Sequence, residues 1–362
     1  MRKNVKKQLA LRVLSTAVLM AMVSSIATAA FADTYDLNTG SVTVETRDDG
    51  ITYVTQKDAE INEHPDTTGV TITSNGTQTS NTITVETADK QTTNVTLQDV
   101  NIAVDTVKAK SGAIEIKGDG KTNLELNGDN TVLVENDWSE EHAAIEKADK
   151  YGHGTLTIKD DVNDNGKPKT GTKADTTGTL VAGGYHDAAA IGGGEGEFAD
   201  TSNITITGGK ITASGGTYGA GIGGGYTGDA SNIRIEGNAD VIAFGNSGAA
   251  IGSGYHSRVN SDITITDHAT VTAASLDGCG IGGGQDASGK VTITISGSAS
   301  VNAQTRNPPA AIGSDRSSAT VNIEDNADVT AVGSGVAIGT GYSEGTSTVI
   351  NITGGTVNAV TR

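Results

Sequence analysis

The stretch that decides the fold is short: AAIGGG at 189–194. It returns as AGIGGG at 220–225, AAIGSG at 249–254, CGIGGG at 279–284, AAIGSD at 310–315 and VAIGTG at 336–341. The anchoring isoleucines are Ile191, Ile222, Ile251, Ile281, Ile312 and Ile338, separated by 31, 29, 30, 31 and 26 positions. Each anchor is followed by a pair such as Ile204/Ile206, Ile233/Ile235 or Ile263/Ile265. A third element follows that, such as Ile211/Ala213, Val241/Ala243 or Val271/Ala273. A period near 30 residues is the mark of a solenoid, propeller or array.

Within each unit the apolar residues alternate with Thr, Asn, Ser or Arg, a period of two that belongs to strands with one buried face. No apolar stripe of helical period occurs after residue 32, so helices are not expected. Three short strands per unit suit a triangular coil stacked at the spacing of a parallel sheet. Propeller blades need about four antiparallel strands. The predicted fold is therefore all-β: a single-stranded right-handed parallel β-helix with three strands per coil, the hand following from crossover chirality.

Earlier coils follow the same logic without the glycine-rich anchor. Ile83/Val85, Val95/Leu97 and Ile102/Val104 make one, and Ile114/Ile116, Leu124/Leu126 and Val132/Val134 the next. A third holds Ile145, Leu156/Ile158 and Leu180/Ala182, with a polar insertion at about 159–178. About nine coils are expected over 81–362, a stack of ~43 Å. Residues 33–80, with strand-like Val42/Val44, Ile51/Tyr53 and Val70/Ile72, are assigned to an N-terminal cap and lead-in strands, because a solenoid needs an atypical end. Between second and third strands, two glycines make a short corner (Gly208-Gly209, Gly354-Gly355). A longer corner is expected to tuck Ala239, Ala269, Ala299 or Ala327 inward.

Residues 1–32 read as a signal peptide: a basic start, an apolar stretch and the small-x-small site Ala30-Phe31-Ala32. Removal of its five basic residues takes the formal net charge from −18 to −23. Such a surface repels nucleic acid and anionic membranes. No integral membrane span is expected after cleavage. The single cysteine, Cys279, excludes an intrachain disulfide and stands where other coils have alanine, so it is read as a small core residue.

The repeats AAIGGG…SNITITGGKITASGGTYGAGIGGGY…SNIRIEG and the segments DTYDLNTGSVTVE and TNVTLQDVNIAVD resemble those of bacterial secreted and cell-surface β-helix proteins. The resemblance spans nearly the whole chain after residue 32 and is specific for architecture rather than activity. It implies a surface or carbohydrate-binding protein, and one branch of such proteins resembles calcium-assisted pectin-binding modules. The last unit ends on a third strand, so an open coil awaiting a cover is expected there.

Parallel β-helices also carry polysaccharide lyases and hydrolases, which need acids, bases or metal ligands converging on neighbouring coils. Glu236, Asp240, Asp267, Glu324, Asp325 and Asp328 recur near one corner but are interrupted in the coil between, so a non-catalytic protein is expected. The alternatives are a lyase or hydrolase of acidic glycans, or an autotransporter passenger. The better-organised feature is aromatic. Tyr226, Tyr255 and Tyr342 each lie four residues after an anchoring isoleucine, with His256 beside Tyr255. Aligned rings suit sugar rings, and the simpler role is to cover the backbone of a glycine-rich bend. Trp138 with His142 is read as packing on a coil edge. In the insertion, Asp161, Asn163 and Asn165 fit the first half of a calcium loop, although Thr172 stands where its closing glutamate belongs. Calcium is thus the one cofactor suggested, and a polysaccharide or a host or cell-surface protein the expected partner.

Overall fold

The computed structural model describes residues 33–67, 69–135, 142–161, 178–341 and 346–362. The expected signal peptide, Trp138, Tyr342, and Asn163 and Asn165 in the insertion lie outside them. The chain winds into a right-handed parallel β-helix with three sheets of twelve, eleven and nine strands. Outside the antiparallel pairings of Thr52–Gln56, each strand pairs in parallel with its counterpart one coil away. Ile191, Ile222, Ile251, Ile281 and Ile312 are consecutive register partners in the anchor sheet. The Ile204/Ile206 and Ile211/Ala213 rows run likewise through the second and third sheets. The nine strands of the third sheet, from Asn101–Asp105 to Thr356–Thr361, each close one coil.

Alternation explains the core. In Val291–Ile295, Val291, Ile293 and Ile295 are buried while the threonines between them face outward. The anchoring isoleucines from Ile191 to Ile312 are fully buried, at about 1.5–3 kcal/mol of transfer free energy per side chain. Ala239, Ala269, Ala299 and Ala327 are buried at the longer corners, and Gly209 and Gly355 take φ of 81° and 78° at the short ones. Cys279 is buried in the core, which pushes its thiol pKa well above the usual range.

The acids near that corner stabilise the turns. Asp267 and Asp325, both left-handed (φ 59° and 57°), accept the N–H groups of Gly237 and Gly297 at 3.1 and 3.0 Å across the coil interval. Glu236 binds Arg234 at 2.7 Å.

Two expectations need correction. Among the described residues one α-helical turn does form, at Thr106–Ala109, capped by the Asp105 carboxylate accepting from the Lys108 N–H at 3.2 Å; a local cap needs no apolar periodicity. In the first region the buried phase is Val54 and Gln56, not Ile51 and Tyr53. Strand Thr52–Gln56 runs antiparallel to Val42–Thr46 and pairs in turn with Ile61–Asp66. Gln56 is buried because its Nε2 donates to the Asp36 and Gly40 carbonyls, both at 2.8 Å. Tyr53 instead lies outside under the Arg47 guanidinium, 4.2 Å from the ring centroid.

At the opposite end Val349, Ile350, Ile352 and Val360 are exposed. No helix among the described residues is long and apolar enough to cross a membrane.

Candidate functional site: an aromatic ridge with a groove

The corner between the third sheet and the anchor sheet brings two chain segments together. At three successive coils the residue four places before an anchoring isoleucine (Ile191, Ile222 and Ile251) meets the residue four places after the next one. Tyr226 N–H donates to Asp187 O at 2.7 Å, Tyr255 N–H to Tyr218 O at 2.9 Å, and Gln285 N–H to Ser247 O at 2.7 Å. This repeated bond aligns Tyr226 and Tyr255 and sets Tyr218 between them.

The rings touch. Tyr226 and Tyr255 stack with centroids 5.9 Å apart at 23°. Tyr218 packs against both, at 5.7 and 5.1 Å. His256 lies 4.0 Å from Tyr255, and His186 meets Tyr218 edge-on at 5.2 Å. Offset and edge-to-face pairs of this kind add about 0.5–1.5 kcal/mol each beyond area burial. The ridge continues along the rod in polar form: Asp286 lies beside Tyr255 and is bridged by Arg316. Burial foremost, and then the Asp286 charge, raise the Tyr255 hydroxyl pKa. Asp187, paired with His186 at 2.8 Å, is raised above the ordinary aspartate range by burial, which outweighs the histidine.

Beside the ridge is an open groove of about 530 Å³. Gly184, Gly215, Gly216 and Gly245 are part of its lining, and Tyr185 and Phe244 line it from coils two apart. Both rings are substantially exposed, at 38% and 43%. Gly216 is required by packing: a Cβ there would strike the Tyr185 and His186 backbone. Ser214, Thr217, Asn246 and His186 give the groove polar edges.

The structure thus brings Tyr226, Tyr255 and His256 together. It adds Tyr218, Tyr185 and Phe244, which the sequence reading did not single out. Tyr218 carried a signal, because it lies four residues before Ile222 where neighbouring coils have Asp187, Ser247 and Asp277. Tyr185 and Phe244 are unrepeated aromatics, and only the coil register places them on one groove. Of the suggested calcium residues, Asp161 is described. Its carboxylate binds Lys159 Nζ at 2.9 Å and its N–H donates to Glu125 Oε1 at 2.8 Å.

Fold and corner together define a right-handed β-helix repeat protein. A family model described as "Beta helix repeat" matches residues 204–226 and 263–285. Each match runs from a second strand, through a third strand and an anchor, to the ridge position held by Tyr226 or Gln285. No curated protein and no solved structure matches the chain.

Proposed function

We propose that this is a secreted or cell-surface β-helix that binds a polysaccharide along its aromatic corner and serves adhesion, without catalysing a reaction. The observation that carries this reading is the groove: two exposed aromatic side chains, on coils two apart, in a lining that includes four glycines. Two coil rises place those walls roughly 9–10 Å apart along the rod. That interval suits a single sugar ring, with apolar faces against aromatics and hydroxyls toward Asn246, Thr217 and His186. The stacked Tyr218, Tyr226 and Tyr255 form a stiff rim beside it. The acidic surface favours a neutral polymer over an acidic one.

The test is a glycan-array screen of the protein, repeated with Tyr185→Ala, Phe244→Ala and the double variant Tyr226→Ala/Tyr255→Ala. Retention of a neutral glycan that each groove variant weakens about five- to thirtyfold is expected, one lost aromatic contact being worth about 1–2 kcal/mol. Silence on every glycan, or binding indifferent to all three variants, would refute the proposal.

A further inference from the structure

Immediately after the anchoring isoleucine, the later coils place glycine, as in Ile191-Gly192 and Ile222-Gly223. Two earlier coils place glutamate instead: Ile114-Glu115 and Ile145-Glu146. These glutamates are direct register partners on adjacent parallel strands. Alternation sends them to the outer face of the anchor sheet, yet Glu115 is 4% and Glu146 0% exposed.

The cover comes from the chain on either side. His142 and Tyr151 pack on Phe198, with ring centroids 5.3 and 5.2 Å away. His142 also reaches inward, its Nδ1 standing 3.0 and 2.9 Å from the two Glu146 oxygens. The Ala143 N–H donates to Glu146 Oε2 at 3.0 Å. Glu115 accepts from the Tyr151 hydroxyl at 3.3 Å and pairs with Lys117 Nζ at 2.8 Å. No acid–base cluster was foreseen from sequence; folding makes one here, and His142 does more than pack on a coil edge.

Two carboxylates directly opposite each other, out of water, repel strongly. Lys117 offsets one charge. A divalent cation would offset both carboxylates and take the imidazole nitrogen as a ligand. Glu115, His142 and Glu146 each present a donor atom, and the three atoms lie within 4.8 Å of one another. One imidazole nitrogen with two carboxylates suits zinc or a similar first-row ion, and hard calcium and magnesium favour all-oxygen sites. We propose that Glu115, His142 and Glu146 bind a divalent transition-metal ion, zinc by donor set, that staples the 142–151 segment to the outer face of the rod.

Zinc bonds of about 2.0–2.1 Å put tetrahedral ligand atoms about 3.3 Å apart. His142 Nδ1 and the two Glu146 oxygens stand 3.0 and 2.9 Å apart, a few tenths of an ångström inside that spacing, and a Glu115 donor atom lies within 4.8 Å of a donor atom on each. The Tyr151 hydroxyl and the Lys117 ammonium then orient the Glu115 carboxylate from outside the metal.

The experiment strips the whole protein with a chelator and titrates it with Zn2+ and with Co2+, followed by calorimetry and the visible absorbance of cobalt. One equivalent per chain, a cobalt band and a higher melting temperature with zinc are expected. Glu146→Gln and His142→Gln should each weaken binding at least about tenfold while the far-ultraviolet strand signal persists. Should either fail to fold, Glu115→Gln makes the same comparison from the adjacent strand. Absence of one-equivalent binding of both ions by the unmutated protein overturns the proposal, as does binding that survives the substitutions.

Discussion

Substituting alanine for one glycine, Gly223, tests whether coil stacking governs the anchor bend. Gly223 has φ 137°, a region L-residues rarely adopt. A Cβ there would point straight at the Gly252 carbonyl oxygen of the next coil, well under the 3.0 Å that real Cβ atoms respect, and the obstacle is backbone that cannot swing aside. That carbonyl accepts from Gly224 N–H at 3.0 Å, and Ile222 N–H donates to Ala250 O at 2.9 Å. Opening the coils enough to admit the methyl would sacrifice both bonds, about 1 kcal/mol each. The alanine that the opened coils admit would still hold a positive φ, at about 1–3 kcal/mol of strain. Together Gly223→Ala is expected to cost about 3–5 kcal/mol. Gly283, two residues after Ile281, is the control. It has no positive φ, and its nearest neighbour, Ala287 Cβ, would be at an ordinary 3.4 Å. Gly283→Ala should be neutral or stabilise by up to about 1 kcal/mol. The assay is guanidinium unfolding followed by far-ultraviolet circular dichroism, comparing midpoints because repeat arrays depart from two-state behaviour. Coincident midpoints for the two variants would refute the steric account of the glycine row.

Ile251 lies between Ile222 and Ile281 in the anchor row, fully buried, so Ile251→Asp leaves a carboxylate in the core and should abolish cooperative melting. Thr264→Asp, on the outer side of Ser261–Ile265, should leave it; equal damage from both would overturn the inward/outward assignment. Burial raises the Asp229 and Asp315 carboxyl pKa values above the ordinary aspartate range. A raised folded-state pKa means that the stabilising contribution is complete below the unfolded value near 3.9. It is lost as pH rises through the folded value. The melting temperature should therefore fall as pH rises from about 4 towards neutrality, and less steeply in Asp315→Asn. Parallel pH profiles for the parent and Asp315→Asn would show that this carboxyl does not contribute.

Most of the architecture was written in the spacing of the isoleucines, because a coil buries whatever recurs at its period. The first region was harder to read. Its outer strands answer to an antiparallel pairing and to Gln56, whose burial rests on hydrogen bonds that no hydrophobicity pattern contains. The site was half legible. Tyr226 and Tyr255 share a repeat position and so could be aligned in advance. Tyr185 and Phe244 occupy unrelated repeat positions, and their meeting depends on the exact register across two coil intervals. The Glu115, His142 and Glu146 cluster had a visible trace, the change from glycine to glutamate after the anchor. Its third member arrives from a connecting segment whose path the repeat does not specify.

Hydrogen-bond registers linking each coil only to the coils on either side also bear on how such a rod is inherited. Its units are nearly equal in length, so unequal crossing-over could excise one in frame. Loss of 222–250 would set Ile251 on Ile191 and shorten the rod by one rise, about 4.8 Å. The ladder would reseal. Tyr226 and Phe244 would vanish together, and Ala274, the register partner of Phe244, would take its place opposite Tyr185. Reach and recognition would therefore vary independently among descendants of this gene: one through the number of coils, the other through which coils remain.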